Sequence, residues 1–334
     1  TSEIMVAINR VNVFYERDHG IRFLLVGNNN LLYETTNTSA LANNGSALIA
    51  EVQGWIDARI GNGSYDIGHV FSTSLGGLAF IGSACDNANK AKGVTGLSDP
   101  VGDKFYIDFV SHELGHQLNA DHTFNGTTNG CGSSNRNPAT AFEPGSGSTI
   151  MAYAGICGAE NLQSLSEATF HAGSITQIGN FTTSPAGNCF ATLATTPVNN
   201  QDPVISSVIA PRSIPVKTPF QLVGTATDPE FAGVSYQWDQ MNVGSPTNSS
   251  SFGTDRGDNA LYRSYAPQST GLRDFPALGT QLGTLVMGTP TKLYDKAEVL
   301  PCQSRNIDLR LTVRDNNSGQ AVQNVRLSAH AGAG

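Results

Sequence analysis

The sequence predicts two domains of different class: an α/β domain over residues 1–198 with a mostly parallel sheet, then an all-β domain over residues 199–334. Three observations carry this. Up to about residue 119, short apolar runs alternate with segments of helical period, the pattern of strands separated by helices. Near Thr195–Pro203 the composition changes to T-T-P-V-N-N-Q-D-P, which reads as a linker. Beyond it helical periodicity gives way to alternating runs rich in β-branched residues. A chain of 334 residues is also longer than the usual single domain.

In order, Ser2–Arg17 reads as a helix, with Ile4, Ile8, Val11 and Tyr15 at helical spacing and Gly20 as its stop. Ile21–Gly27 is a short apolar run expected to be a buried strand, followed by a loop rich in Asn and Thr. Ala47–Ile60 is a second helix, with Ile49, Val52, Ile56 and Ile60 on one side. Asp66–Ser72, Gly77–Ile81 and Val94–Leu97 read as strands. A third helix starts at Pro100 or Asp103 and runs to about Asn119. Ile107, Val110, Leu114 and Leu118 line one face, and Phe105, Phe109, His112 and His116 another, so it should lie between two layers. Residues 121–147 form a polar, Gly/Asn-rich loop region, and Glu167–Phe181 reads as a last helix with Phe170, Ile175 and Ile178. His171 within it reads as a structural histidine, and His19, His69 and His330 have no ligand-like spacing. In the second domain Val204–Ile209, Phe220–Ala226, Val234–Trp238, Ile307–Val313 and Val322–Ser328 read as strands.

The third helix carries the chemistry. His112 to His122 reads H-E-L-G-H-Q-L-N-A-D-H. Residues four apart on a helix leave the same face one turn from each other, so the His112 and His116 imidazoles can reach one zinc ion. Glu113 stands beside the first of them, where its carboxylate can take a proton from a zinc-activated water. His122 becomes the third ligand if the helix stops after Leu118 and the chain folds back. Asn119 is where that turn would start, since asparagine tolerates the left-handed conformation better than most residues.

At these residues the sequence resembles the metzincin metallopeptidases, whose motif H-E-x-x-H-x-x-G-x-x-H is matched in full except for Asn119 in place of glycine. The family's downstream methionine turn is matched by Ser148-Thr149-Ile150-Met151-Ala152-Tyr153. The wider run G-S-G-S-T-I-M-A-Y-A-G resembles secreted bacterial reprolysin-like proteases, while His122-Thr123-Phe124 is similar to the pappalysin group. The resemblance implies a twisted sheet backing onto the zinc-binding helix, with zinc held by His112, His116 and His122 and Glu113 as general base. It implies that Met151 packs beneath the imidazoles without binding metal, and that Tyr153 stabilises an oxyanion. It further implies an extended peptide substrate paired antiparallel to the strand around Gly77, Leu78 and Ala79. Domains of this family open with a strand, whereas this chain opens on the helix. The expectation is that a first strand was removed or lost, or that a separate, cleaved N-terminal segment supplies it. In the second domain, the Y-Q-W-D stretch at Tyr236 and the L-T-V-R-D-N stretch at Leu311 resemble polycystic-kidney-disease-type (PKD) and immunoglobulin-like sandwiches. About seventy residues separate the two stretches, so residues 245–301 must be a long insertion or extra strands.

A net charge of −8 and scarce lysine argue against a nucleic-acid partner. Hydrophobic content of 39% is enough for real cores, and no apolar run approaches the length of a membrane span. No signal peptide precedes the first helix, which reads as a processed, secreted chain. Of the five cysteines none lies in a C-x-x-C pair, which argues against a zinc ribbon and for two bridges and one leftover thiol. Cys131 and Cys157 flank the methionine turn, where a bridge would brace the floor of the site; Cys85 and Cys189 would then pair and Cys302 remain. Four cysteines allow three connectivities, so the pairing stays open. Asp228, Glu230, Asp315 and Asn316 could bind structural calcium at loop ends, although solvated turn acids are the commoner explanation. The rival to an endopeptidase is a non-catalytic, zinc-stabilised binding or adhesion module. Glu113 favours catalysis, because a structural zinc site needs no proton acceptor and prefers four protein ligands.

Overall fold

The computed structural model describes residues 2–34, 45–73, 76–192, 200–230, 233–277, 298–315 and 317–332. The linker residues 193–199 and the 278–297 part of the expected insertion therefore lie outside the described residues. The chain divides into two compact units, one of residues 1–121 with 175–194 and one of residues 122–174 with 195–334.

In the first unit, helix α1 (Ser2–His19) buries Ala7, Val11, Phe14 and Tyr15; of the expected stripe Val11 and Tyr15 are buried, while Ile4 and Ile8 are half-buried. Helix α2 (Gly45–Ile60) buries Leu48, Ile49, Val52 and Ile56. Between them, residues 21–26 run without regular structure, not as the expected strand. The buried Asn12 takes the place of a strand partner there. Its amide nitrogen donates to the Phe23 carbonyl (3.0 Å) and its oxygen accepts the Phe23 N–H (2.8 Å). The side chain thus satisfies backbone groups that would otherwise need a ladder.

Strands β1 (Val70–Ser72), β2 (Gly76–Ala79) and β3 (Gly93–Gly96) form a sheet in the order β1-β3-β2. β3 is fully buried at its centre. β1 runs parallel to β3 and β2 antiparallel, so among the described strands the sheet is mixed and not mostly parallel. The reason is local: residues 80–92 turn back from β2 to β3 without a helix, and only parallel neighbours require a helical crossover. The Cys85–Cys189 disulfide closes this unit. Helix α5 (Ala172–Thr182), most of which belongs to this unit, starts five residues later than the sequence implied. Glu167 and Thr169 are engaged elsewhere, through Glu167 N–H to the Ser148 carbonyl (2.7 Å) and Ile150 N–H to the Thr169 carbonyl (3.0 Å). His171 then caps the helix, its Nδ1 accepting the Gly173 N–H at 2.9 Å.

The second unit contains a sandwich of two sheets, one in the order β5-β10-β9-β7 and the other β4-β6-β8. Its strands are β4 (Val204–Ile209), β5 (Ser213–Pro215), β6 (Phe220–Thr227), β7 (Ser235–Gln240), β8 (Gly271–Phe275), β9 (Arg305–Arg314) and β10 (Gln320–His330). Alternate residues of β9, Ile307, Leu309, Leu311 and Val313, point into a core shared with Leu222, Trp238, Phe275 and Leu327. Trp238 adds a polar tie between the sheets by donating its indole N–H to the Gly271 carbonyl at 2.9 Å. β8 falls inside the expected insertion, so part of that stretch is an extra strand of the sandwich.

Candidate metal centre

Two helical segments, α3 (Gly102–Phe105) and α4 (His112–Gln117), flank a π-helical turn, Tyr106–Ser111, that ends one residue before the first histidine. π-turns recur at functional sites because they re-aim the side chains that follow. This one is pinned by the Ser111 hydroxyl donating to the Tyr106 carbonyl (2.7 Å) and by the buried Tyr15 hydroxyl donating to the Ser111 carbonyl (2.7 Å). At the other end the stop falls at Asn119, whose φ of 73° is left-handed. Asn119 N–H donates to the His116 carbonyl (2.8 Å) and Ala120 N–H to the Gly115 carbonyl (2.9 Å), the paired bonds of a Schellman cap. Asparagine here takes the left-handed conformation that glycine adopts most readily.

The cap also prepares a ligand. His116 Nδ1 lies 2.7 Å from the Ala120 carbonyl, which can only accept, so Nδ1 carries the proton and Nε2 keeps its lone pair. His116 Nε2 stands 3.1 Å from His112 Nε2, near the roughly 3.3 Å edge of a tetrahedron built on zinc–nitrogen bonds of about 2 Å. Burial lowers the His116 pKa to about 4, which keeps the ring neutral as a ligand must be. His122 repeats the arrangement, with Nδ1 donating to the Asn135 carbonyl at 2.6 Å. The ligand atoms of His112, His116 and His122 all lie within 4.8 Å of one another, the one such group of three or more among the described residues. The donor set fits a zinc ion: three imidazoles, two of them with the proton fixed on the far nitrogen. The calcium expectation finds no such support. Asp228 accepts the Glu230 N–H, Glu230 holds Gln201, and Asp315 accepts the Asn317 and Gly319 N–H groups. Asn316 lies outside the described residues.

Glu113 is buried, and desolvation pushes its carboxyl up to about 8. Among the described residues its Oε2 has no hydrogen-bond partner. A divalent cation nearby would favour the ionised form. Its neighbour is the edge strand β2, on which Gly77 and Leu78 are exposed and Ala79 half-buried. A Cβ added at Gly77 would stand 2.2 Å from Glu113 Oε1, so any other residue there would push the Glu113 side chain from its place. Gly77→Ala is therefore expected to displace the Glu113 carboxylate, which a crystal structure of the variant would show; an unmoved carboxylate would mean that its position does not depend on this contact.

The His122 segment is tied to the methionine turn by its own neighbours. Thr123 N–H donates to the Met151 carbonyl (3.1 Å), and the His122 ring packs edge-on to Tyr153, with centroids 4.5 Å apart. Tyr153 stacks in turn on Phe124 at 4.7 Å, beside the Cys131–Cys157 disulfide. Met151 itself is fully buried. One residue that sequence reasoning passed over organises this region. The fully buried Glu143 carboxylate accepts from the Thr123 hydroxyl (2.6 Å), from Ser148 N–H (2.7 Å) and from the Thr149 hydroxyl, joining the residue after His122 to the turn before Met151. His69, also given no role from sequence, packs near α4. Its Nδ1 lies 2.8 Å from Gln117 Oε1, while Gln117 Nε2 donates to the Gly68 carbonyl at 2.9 Å, tying the end of the helix to the sheet. Burial lowers the His69 pKa to about 4, so it too stays neutral. Nothing local in the sequence marks either residue, since both acquire their partners only on folding.

The family model of the reprolysin-like metallopeptidases, family M12B, matches residues 1–123. That stretch contains all three histidines and Glu113. No curated protein matches the sequence. Among solved structures, the PKD1 domain of Vibrio anguillarum Epp is similar at 12% sequence identity, covering 40% of this chain and 98% of that domain, with a TM-score of 0.21.

Proposed function

We propose that this chain, whose first 123 residues are similar to the reprolysin-like metallopeptidases, is a secreted zinc endopeptidase with a catalytic domain over residues 1–198 and a sandwich domain over 199–334. The observation that carries the reading is the convergence of His112, His116 and His122 beside a buried carboxylate with an oxygen left open. A zinc ion held there supplies Lewis acidity, polarising a carbonyl and lowering the pKa of water from about 15.7 towards about 7. The remaining work belongs to the protein. Glu113 accepts the proton of the attacking water and returns it to the departing amine. Its surroundings exclude bulk water, which strengthens the charge interactions made there. The β2 edge at Gly77, Leu78 and Ala79 offers backbone groups to an extended peptide, which binds many sequences with little side-chain discrimination. Tyr153 donates its phenol hydrogen to the oxyanion.

Two disulfides support an oxidising, extracellular destination. Among the described residues no helix is long and apolar enough to cross a membrane. Digestion of denatured casein tests the proposal directly. Cleavage is expected, lost on adding a zinc chelator and regained on returning zinc. A protein that binds zinc stoichiometrically yet leaves casein intact would instead be the zinc-stabilised binding module.

A further inference from the structure

The connection from β7 to β8 runs from Met241 to Thr270, far longer than the handful of residues a strand-to-strand turn needs. Residues 244–264 of it make contacts with residues 125–148. Thr247 N–H donates to the Asn125 carbonyl (3.1 Å), the Thr127 hydroxyl donates to the Thr247 carbonyl (2.7 Å), and Gly126 and Thr247 form a parallel bridge. The Asn125 side chain donates to the Ser245 carbonyl (3.0 Å). Arg136 reaches both Asn125 Oδ1 (3.0 Å) and the Gly244 carbonyl (2.7 Å). Farther on, the Ser148 hydroxyl donates to the Ser264 carbonyl at 2.8 Å. The ring of Phe252 lies so close to Gly145 that an added Cβ would meet it at 2.5 Å.

At the middle of these contacts is a second carboxylate without a solvent role. Glu160 is fully buried; its Oε2 accepts Thr127 N–H (2.9 Å) and Thr128 N–H (2.8 Å), and its Oε1 accepts the hydroxyl of the equally buried Thr247 (2.9 Å). The Thr128 hydroxyl also donates to Oε2, and a buried carboxylate that loses one of these four donors is disfavoured, so the donors are held where they are. Asn125 is three residues from His122 and Ser148 three from Met151. Slack in the connection would thus pass directly to the backbone carrying the third ligand.

We propose that residues 242–264 are a brace for the segment bearing His122 and Met151, with Thr247 and Glu160 as positioning residues, so that the sandwich is a working part of the metal site and not an appended module. This rests on the zinc peptidase reading for its biological meaning, but zinc affinity can test it separately. The experiment uses the full chain and measures the zinc Kd by chelator competition, alongside kcat and KM on a casein-derived peptide. Thr247→Val removes the hydroxyl at nearly constant shape; Thr247 touches none of the three histidines, and slack passed along the brace to His122 is expected to weaken zinc binding and kcat about tenfold each, with KM little changed. Thr247→Ser restores the donor and should return both values to native. Arg136→Met cuts the brace at Gly244 from a half-buried position and should reproduce the zinc defect. Gln221→Ala removes an exposed cross-strand contact to Asp274 elsewhere in the sandwich and should leave zinc binding intact. Native zinc affinity in Thr247→Val and Arg136→Met would overturn the brace, as would an equal loss in Gln221→Ala. Absence of peptide cleavage by the native chain would remove the peptidase reading while leaving the zinc comparison to decide the brace.

Discussion

Glu113→Ala is expected to retain one zinc per chain and to lose roughly a thousandfold in kcat, the share that a positioned general base contributes. The two effects separate because Glu113 is not one of the three clustered ligands, although it stands next to one of them. Its carboxylate faces Gly77 on one oxygen and has no hydrogen-bond partner among the described residues on the other. Removing it therefore leaves no buried donor stranded. Folding should not suffer either. A buried ionisable group pushed up to about 8 is one the fold bears at a cost, and its loss offsets the small cavity left behind. The check is zinc content by elemental analysis together with single-turnover hydrolysis of a peptide. Zinc-loaded Glu113→Ala that still cleaves within tenfold of the native rate would exclude this residue as the base and move the search to another proton acceptor.

How far the sequence could be read depended on whether a residue finds its partners nearby or far away. The helix stop at Asn119 was legible because the Schellman bonds close within six residues, and asparagine's tolerance of positive φ is a property of the residue itself. The alternation of β9 was legible for the same reason. Ile21–Gly27 misled because an apolar run reports burial and not pairing. Asn12, a helix side chain, took up the backbone groups of Phe23. The Glu167–Phe181 helix was drawn too early because residues 167–169 bond back to the methionine turn, a competition no periodicity reveals. Glu143 and Glu160 were invisible for a stronger reason. In a Gly-, Ser- and Thr-rich loop an isolated acid looks like a solvated turn residue, and their donors include Thr123 and Thr247, 20 and 87 positions away. The three-histidine motif announced the metal centre, but the means of holding its third member was written in residues without a motif.

The second large effect is expected from His122→Ala. Outer-shell partners of a metal ligand are worth 10–100-fold in affinity, so removing a ligand outright should weaken zinc binding by more than about 100-fold and abolish detectable hydrolysis. The fold should survive, because His122 is only half-buried and sits between elements fixed by other bonds. The Thr140 hydroxyl holds its carbonyl at 2.6 Å, Met151 holds Thr123, and Glu143 holds the Thr123 hydroxyl. The Asn135 carbonyl loses a donor, and with His122 half-buried and Asn135 exposed water can replace it. Circular dichroism and chelator competition would measure the two quantities side by side. If His122→Ala bound zinc as tightly as the native chain, the ion would rest on His112 and His116 with some other donor, and the three-imidazole site would be wrong. If affinity fell as expected while thermal stability barely moved, zinc would be serving chemistry and not holding the fold together. The structural-module alternative requires the opposite, since a structural zinc contributes its binding free energy to folding.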